Sequence, residues 1–163
     1  MRSITLFIAG IFVGTALQAT LAQPPAQPAA ARLNHVAISV ADVGQALSYY
    51  GDKFGFREVV RNTTPQGQLA SAYIQVSRDT FIELQQTNAQ RPAGLNHFGF
   101  EVPDIKAAVA GYRARGLMVS DPNGPSAFTG GILANITDAN VGRIELSEQP
   151  PDGKLRKATE SWK

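Results

Sequence analysis

The sequence contains no cysteine among its 163 residues. This absence excludes disulfide bonds, thiolate metal sites and cysteine nucleophiles. A chain of this length has room for one compact domain, or for two small halves that share a core. We therefore expect a fold that is held together by its apolar core alone.

Charge is also scarce, since charged residues make up 17% of the sequence and the formal net charge is +2. The basic residues are scattered, apart from a cluster of Lys154, Arg156 and Lys157 that we interpret as part of a solvated C-terminal tail, residues 149–163. Nucleic acid is not an expected partner, because no continuous basic stripe is present to neutralise phosphates.

Long hydrophobic runs are missing except near the N-terminus. Residues 4–17 form an apolar run that follows Arg2 and precedes small residues at 20–22. This pattern predicts a secretory signal peptide, residues 1–22, and a secreted or periplasmic protein. The run is shorter than the roughly 20 residues needed to span a bilayer, so we expect no stable membrane anchor. Residues 23–32 are interpreted as a flexible leader rich in Pro and Ala.

Histidine occurs only twice, and both copies lie in versions of one phrase. His35 lies in "RLNHVAISVADV" and His97 lies 62 positions later in "GLNHFGFEVPDI". The same shift aligns Asp42 with Asp104, and it aligns "IEL" at 82–84 with "IEL" at 144–146. Two copies indicate a pseudo-two-fold pair of modules, residues 33–86 and 95–148, because a solenoid needs about three or more repeats.

Each module has the pattern β-α-β-β-β. An alternating strand, residues 34–40 or 96–102, precedes an aspartate N-cap and a helix that ends at a glycine. Three strands follow in each copy: 56–63, 69–76 and 80–86 in the first, and 117–120, 131–137 and 142–147 in the second. The Gly/Pro-rich loop at residues 121–130 is long enough for a lid, and an ordinary surface connection is the alternative.

Strand alternation places four polar side chains on one face. In each first strand the apolar residues face the helix, so His35 and His97 face the opposite, concave side. In each last strand the flanking Ile and Leu face the helix, so Glu83 and Glu145 also face the concave side. Two imidazoles and two carboxylates can bind one divalent cation. Hydrogen-bonded His–Glu pairs without a metal are the alternative interpretation.

These motifs resemble the vicinal-oxygen-chelate superfamily, which includes glyoxalase I. The resemblance covers nearly all of residues 33–148, and it implies an α+β fold in which two tandem βαβββ modules form a cupped mixed sheet around one metal site. The ligand quartet His35, Glu83, His97 and Glu145 is similar to that of bacterial-type glyoxalase I. Extradiol dioxygenases of the superfamily typically use two His and one Glu, and methylmalonyl-CoA epimerases commonly carry Gln where Glu83 stands.

Two departures from the family pattern bear on the substrate. Glutathione-dependent members tend to have an arginine four residues after the first metal histidine, where this sequence has Ser39. The common "DPDG" turn before the last strand is replaced by "DANVG", residues 138–142. The first departure argues against glutathione, as does export, because the reducing glutathione pool is chiefly cytosolic.

The resemblance implies a metal-dependent lyase or isomerase of glyoxalase I type. The expected cofactor is one divalent ion (Ni, Zn, Co, Mn or Fe), and the expected substrate is a small molecule that chelates it through two neighbouring oxygens. Glu145 is the expected base for proton transfer through an enolate, with Glu83 as its pseudo-symmetric partner. A ring-cleaving dioxygenase and a non-catalytic ligand-binding or resistance protein are the alternatives.

Further residues have the strand position or loop position to shape a pocket, and these are Tyr73, Phe81, Phe128 and Arg143. Two arrangements of the modules stay open from the sequence. They can pair within one chain, or they can swap between the two chains of a homodimer.

Overall fold

The computed structural model describes residues 30–163, which form one seven-stranded mixed sheet and three helices. The predicted α+β fold is therefore confirmed. The first module comprises β1 (Arg32–Val40), α1 (Val43–Phe54), β2 (Arg57–Thr63), β3 (Leu69–Ser77) and β4 (Thr80–Gln86). The second comprises β5 (Gly94–Glu101), α2 (Ile105–Arg113), β6 (Ile132–Asp138) and β7 (Gly142–Glu148), and α3 (Lys154–Glu160) follows it.

The predicted signal peptide and most of the predicted leader lie outside the described residues. Between residues 30 and 163, no helix is long and apolar enough to cross a membrane.

The two modules join through their first strands. The strand order is β2-β3-β4-β1-β5-β7-β6, with β1 antiparallel to β5 at the junction. Each first strand also runs parallel to the last strand of its own module, β1 to β4 and β5 to β7. Because β1 and β5 pair directly, both modules contribute to one sheet within a single chain.

The helices of the two modules begin at equivalent positions, as the repeat predicts. The carboxylate of Asp42 accepts a hydrogen bond from the backbone N–H of Gln45, and that of Asp104 accepts one from Ala107, both at 2.9 Å. Such side-chain caps satisfy N–H groups that the first turn of a helix leaves unpaired. The apolar side of each helix packs on the convex face of the sheet, against Ile74 and Leu84 in the first module and Ala134 and Leu146 in the second.

The pairing of β1 with β5 contains two register shifts, which lie at equivalent positions in the two modules. His35 pairs with Gly99, and Ala37 pairs with His97, but the register skips Asn34 on β1 and Asn96 on β5. Each skipped asparagine immediately precedes a histidine. A bulge of this kind can place two consecutive side chains on the same face of the sheet.

The strand predicted at residues 117–120 is reduced to a single bridge between Val119 and Ile136. Two local features accompany the difference from the first module. The backbone N–H of Asn135 donates to the hydroxyl oxygen of Ser120 at 2.9 Å, in the place where a continuing strand would offer the Ser120 carbonyl. Pro122, just beyond, has no backbone N–H to donate to a sheet.

The C-terminal segment that we interpreted as a solvated tail contains α3, which the sequence patterns did not predict. Leu155 and Ala158 of this helix are buried against Tyr73 and Phe81 in an apolar cluster. Lys154 and Lys157 are exposed as expected, but Arg156 donates to Glu101 Oε1 at 3.2 Å. The interpretation as a solvated tail was therefore wrong for the side of α3 that carries Leu155 and Ala158. This side covers part of the concave face.

Candidate metal centre

The structure brings the four predicted ligands together on the concave face. His35 Nε2 and His97 Nε2 are 3.2 Å apart. Glu145 approaches both rings, with Oε1 3.7 Å from His35 Nε2 and Oε2 3.9 Å from His97 Nε2. Glu83 Oε2 lies 3.5 Å from His97 Nε2. All four residues are buried, so two imidazoles and two carboxylates converge in a space from which water is largely excluded.

The bulged Asn34 orients the first imidazole. Its side-chain oxygen lies 3.0 Å from His35 Nδ1, and its amide nitrogen donates to Glu101 Oε2 at 3.2 Å. Because the amide is fixed by Glu101, its oxygen faces the ring and accepts a hydrogen bond from Nδ1–H. The Nε2 lone pair of His35 is then directed into the cluster, as a metal-ligating histidine requires.

His97 has two possible partners at Nδ1. Asn96 Oδ1 lies 2.7 Å from Nδ1 and repeats the arrangement of the first module. Arg143 Nη2 also lies close, 2.6 Å from Nδ1 and 3.3 Å from Nε2. With its hydrogen on Nδ1, His97 donates to Asn96 and directs a lone pair into the cluster. With its hydrogen on Nε2, it accepts from Arg143 and donates towards His35 Nε2.

The protonation preferences of the cluster follow from its burial. Desolvation, reinforced by the charge of Arg143, lowers the pKa of His35 to about 3 and that of His97 to about 3. Burial and the nearby Glu83 carboxylate raise the pKa of Glu145 to about 7. Burial also raises the pKa of Glu83. Neutral imidazoles can bind a cation without first losing a proton, and a cation would stabilise the two ionised carboxylates.

The donor set fits a divalent ion. Ligand atoms of His35, His97 and Glu145 all lie within 4.8 Å of one another, and these residues are buried. When both rings carry their hydrogen on Nδ1, two nitrogen lone pairs face each other at 3.2 Å with no hydrogen between them. An ion bound to both nitrogens removes this repulsion. A buried His-His-Glu group that could hold a metal is thus present, and Glu83 lies at its edge.

One glycine makes room for the first imidazole. Gly99 lies opposite His35, and a Cβ added to it would be 2.0 Å from His35 Cε1 and 2.6 Å from Nε2. The repeat places Ala37 at the equivalent position, opposite His97. The pseudo-symmetry relates the two pairs, but the need for glycine at 99 becomes visible only from the position of the His35 ring.

An apolar wall closes one side of the cluster. Tyr73 contacts the His35 ring edge-on with centroids 5.4 Å apart, and Phe128 lies 5.3 Å from Tyr73. Phe81 and Leu155 of α3 complete this wall. The predicted pocket residues Tyr73 and Phe81 are thus buried structural neighbours of the site, whereas Arg143 lies directly against His97.

The 121–130 loop is attached to the domain at several points. Phe128 packs in the apolar wall, Thr129 is buried, and the Thr129 carbonyl accepts from Lys154 N at 2.7 Å. The loop therefore covers the concave face together with α3. Neither Asn34 nor Asn96 was among the predicted site residues, although the repeated "LNH" was a signal that could have identified them.

Both departures from the family pattern have a local role. Ser39 is buried, and its hydroxyl oxygen accepts from Asn96 Nδ2 at 3.4 Å, so it supports an asparagine beside the site. In the turn before β7, the Asp138 carboxylate accepts from the backbone N–H groups of Asn140 and Val141 at 2.8 and 2.9 Å. The altered turn is therefore held by its own aspartate.

Comparisons with known proteins agree with this architecture. The family model of the Glyoxalase/Bleomycin resistance protein/Dioxygenase superfamily matches residues 34–134. A lactoylglutathione lyase of Arabidopsis thaliana and a putative lactoylglutathione lyase of Brassica oleracea var. gemmifera are each 24% identical over 127 residues. Each alignment covers 74% of this chain and 45% of the relative, so the chain spans less than half the length of these curated relatives.

Solved structures share the fold. A methylmalonyl-CoA epimerase from Mycobacterium tuberculosis superposes with a TM-score of 0.61 at 24% identity, covering 73% of this chain and 88% of the epimerase. A 2,3-dioxygenase from Pseudomonas sp. KL28 superposes with a TM-score of 0.60 at 17% identity, covering 72% of this chain and 42% of the dioxygenase. Proteins of different activities thus share this architecture.

Proposed function

Because the chain belongs to the Glyoxalase/Bleomycin resistance protein/Dioxygenase superfamily, we propose that it is a metal-dependent lyase or isomerase of glyoxalase I type. Its substrate is a small molecule with two neighbouring oxygens. The observation that carries this proposal is the pair of buried imidazole nitrogens, 3.2 Å apart, with two carboxylates within 4 Å of them.

We assign His35, His97, Glu145 and Glu83 as the residues that would hold the divalent ion. When bound, such an ion polarises substrate oxygens as a Lewis acid. Asn34 accepts from His35 Nδ1, and Asn96 can do the same for His97 when that ring carries its hydrogen on Nδ1, which is the usual support for a metal-binding histidine. The two carboxylates bring two negative charges, which balance the charge of a divalent cation.

The carboxylate of Glu145 is the group that we assign to proton transfer. A base works best when its pKa lies near the working pH. In the cluster without an ion, burial and the charge of Glu83 raise the pKa of Glu145 to about 7, so when this carboxylate is not bound to the ion it can accept a carbon-bound proton and return it to an adjacent carbon. Glu83 is hydrogen-bonded to Tyr73 and Gln85, which hold it in place. The apolar wall of Tyr73 and Phe128 keeps water from the reacting atoms.

Ser39 bears on which substrates should be tested. This residue occupies the position where glutathione-dependent members tend to have an arginine, and it is engaged with Asn96. We therefore propose that glutathione is not the required carrier, and that a substrate screen should include 2-oxoaldehyde hemithioacetals of several thiols. The proposed export of the protein agrees with this choice, since glutathione is chiefly cytosolic.

The proposal is tested first by metal binding. His35→Ala, His97→Ala, Glu83→Ala and Glu145→Ala should each weaken binding of a divalent ion by more than the roughly 10–100-fold that loss of a supporting residue costs. Lys157→Ala is a suitable control, because Lys157 is exposed on α3. Unchanged stoichiometry and affinity in both histidine variants would rule out a shared site.

Turnover tests the chemistry separately. Glu145→Gln keeps the shape of the side chain and an oxygen that can bind the ion, but it cannot accept a proton at neutral pH. We expect this variant to retain metal and to lose about 10²–10⁴-fold in turnover, the usual range for an acid–base group. Wild-type turnover in Glu145→Gln would contradict proton transfer by this residue.

Bound iron with oxygen-dependent cleavage of catechols would indicate a dioxygenase instead, and tight ligand binding without metal would indicate a binding protein.

A further inference from the structure

Arg143 reaches the metal cluster from the solvent side. Its side chain is 39% exposed, whereas that of Glu145 is 11% exposed. Nη1 lies 3.3 Å from Asn135 Oδ1 and 3.7 Å from Glu145 Oε2, and Nη2 donates to Asn96 Oδ1 at 3.3 Å. Nη2 also lies 2.6 Å from His97 Nδ1. The guanidinium therefore lies between the solvent and the proposed ligands.

In this position Arg143 weakens the binding of a divalent ion in two ways. It stabilises the form of His97 that accepts at Nδ1 and carries its hydrogen on Nε2, and that form has no lone pair for an ion at Nε2. Its positive charge, 3.7 Å from Glu145 Oε2, also repels a cation bound between His97 and Glu145. Metal binding therefore requires the hydrogen on Nδ1, bonded to Asn96, and movement of the guanidinium away from the ring.

The charge of the loaded site determines what relieves this conflict. Two neutral imidazoles, two ionised carboxylates and a divalent ion sum to zero, so Arg143 leaves one net positive charge. A monoanion that contacts both the ion and the guanidinium would neutralise this charge and would attract Arg143 away from His97. Arginine is suited to this role, because its planar fork matches a carboxylate.

We infer that Arg143 couples metal binding to anion binding: it weakens binding of the ion alone and strengthens binding of the ion together with an anionic ligand. This inference rests on the proposed metal-dependent function, and among ligands that chelate the ion through two neighbouring oxygens it favours small monoanions with a carboxylate beside a second oxygen over neutral hemithioacetals. Because coupling is reciprocal, the ion raises the affinity for the anion by the same factor as the anion raises the affinity for the ion.

The test compares metal affinities rather than activity. Mn²⁺ is the probe ion, because it binds weakest among the first-row divalent metals, which keeps its dissociation constant measurable. Calorimetric titrations are run without additive, with pyruvate, and with its neutral analogue pyruvamide. The variants are Arg143→Met, which removes the charge and all donors, and Arg143→Lys, which keeps the charge. Arg78→Gln is the matched control, because Arg78 is exposed at the β3–β4 turn.

For the wild type and Arg78→Gln, pyruvate should raise the Mn²⁺ affinity about 5- to 150-fold, the usual range for coupled ligands, and pyruvamide should not. Without additive, Arg143→Met should bind Mn²⁺ more tightly than the wild type does. Pyruvate should no longer raise the Mn²⁺ affinity of this variant. Arg143→Lys keeps the charge but lacks the planar fork, so it should show both effects at reduced size.

Equal effects of pyruvate and pyruvamide on the wild type would overturn the inference. So would an Arg143→Met variant that matches the wild type in both measurements, or an Arg143→Lys variant that behaves like Arg143→Met. In each of these cases the metal site itself would stand. Failure of the wild type to bind Mn²⁺ in any condition would instead contradict the proposed function, together with everything that rests on it.

Discussion

Replacement of Gly99 by alanine tests whether the His35 ring must lie where the structure places it. The added Cβ would be 2.0 Å from His35 Cε1, whereas ordinary contacts begin at 3.4 Å. The ring would have to move by roughly 1.4 Å, because both the strand pairing and the bulge at Asn34 fix the backbones that carry it. Such a movement separates His35 Nδ1 from Asn34 and misaligns Nε2.

The expected magnitudes follow from these contacts. Overpacking in a well-packed interior costs about 1–3 kcal/mol of folding stability. The metal affinity should fall by at least about 10–100-fold, since the variant loses the support of Asn34 and the position of the ligand itself. Both effects come from one methyl group whose three nearest atoms all belong to the His35 ring.

Gly51→Ala is the matched control. Gly51 lies inside α1, and a Cβ there meets nothing closer than the Phe56 carbonyl at 3.8 Å. Alanine should stabilise this helix by about 0.5–1 kcal/mol, because glycine has a high conformational entropy in the unfolded chain. The two variants should thus change stability in opposite directions, and only Gly99→Ala should lose metal.

Urea denaturation and calorimetric metal titration of both variants provide the measurement. The reasoning would be refuted if Gly99→Ala bound the ion with wild-type affinity, or if the two substitutions changed the free energy of unfolding alike.

Three further predictions concern protons, the C-terminal helix and the N-terminus. Burial and Glu83 raise the pKa of Glu145 to about 7, so a proton must leave this carboxyl before the ion binds. The metal affinity should therefore fall about tenfold per pH unit below about pH 7 and level off above it. A metal affinity that does not change with pH across this range would contradict the assignment of Glu145 as a ligand. Leu155→Ala should lower the free energy of unfolding by about 2–5 kcal/mol in urea denaturation, because Leu155 is buried in the apolar wall. For the control Lys157→Ala, the free energy of unfolding should change by no more than about 0.5 kcal/mol. Equal effects of the two substitutions would show that α3 does not pack as described. Mass spectrometry of the exported protein should find Gln23 as the first residue, and an intact N-terminus would contradict the predicted signal peptide.

The repeat accounts for most of what the sequence predicts about the site. Once His35 and His97 are aligned, strand alternation is enough to place them and the two glutamates on one face, and the structure brings all four within 4 Å of a neighbour in the cluster. Alternation is a property of local backbone geometry, so it can be read from a single chain. The same reasoning gives the two helices, because their aspartate caps are also local signals. The predicted glycine end is correct for α1, which is capped by Gly55, but wrong for α2, whose C-cap is Ala114 rather than Gly116.

What the sequence did not predict depends on contacts between distant segments. The bulges at Asn34 and Asn96 exist only in the pairing of β1 with β5, and strand alternation carries no information about a skipped residue. The loss of a strand at 117–120 involves the Ser120 hydroxyl, which takes the place of a backbone carbonyl as the acceptor for the N–H of Asn135 on β6. Helix α3 is short, and its stability comes from burying Leu155 on the concave face rather than from a strong helical pattern.

The measurement that tests the central claim most directly is X-ray diffraction from crystals grown with a divalent ion, collected at the absorption edge of that ion. One shared site predicts a single strong anomalous peak at about 2.0–2.2 Å from His35 Nε2 and His97 Nε2, with carboxylate oxygens of Glu83 and Glu145 at similar distances. A cluster without a peak, or a peak bound to only one of the two histidines, would contradict the shared metal centre.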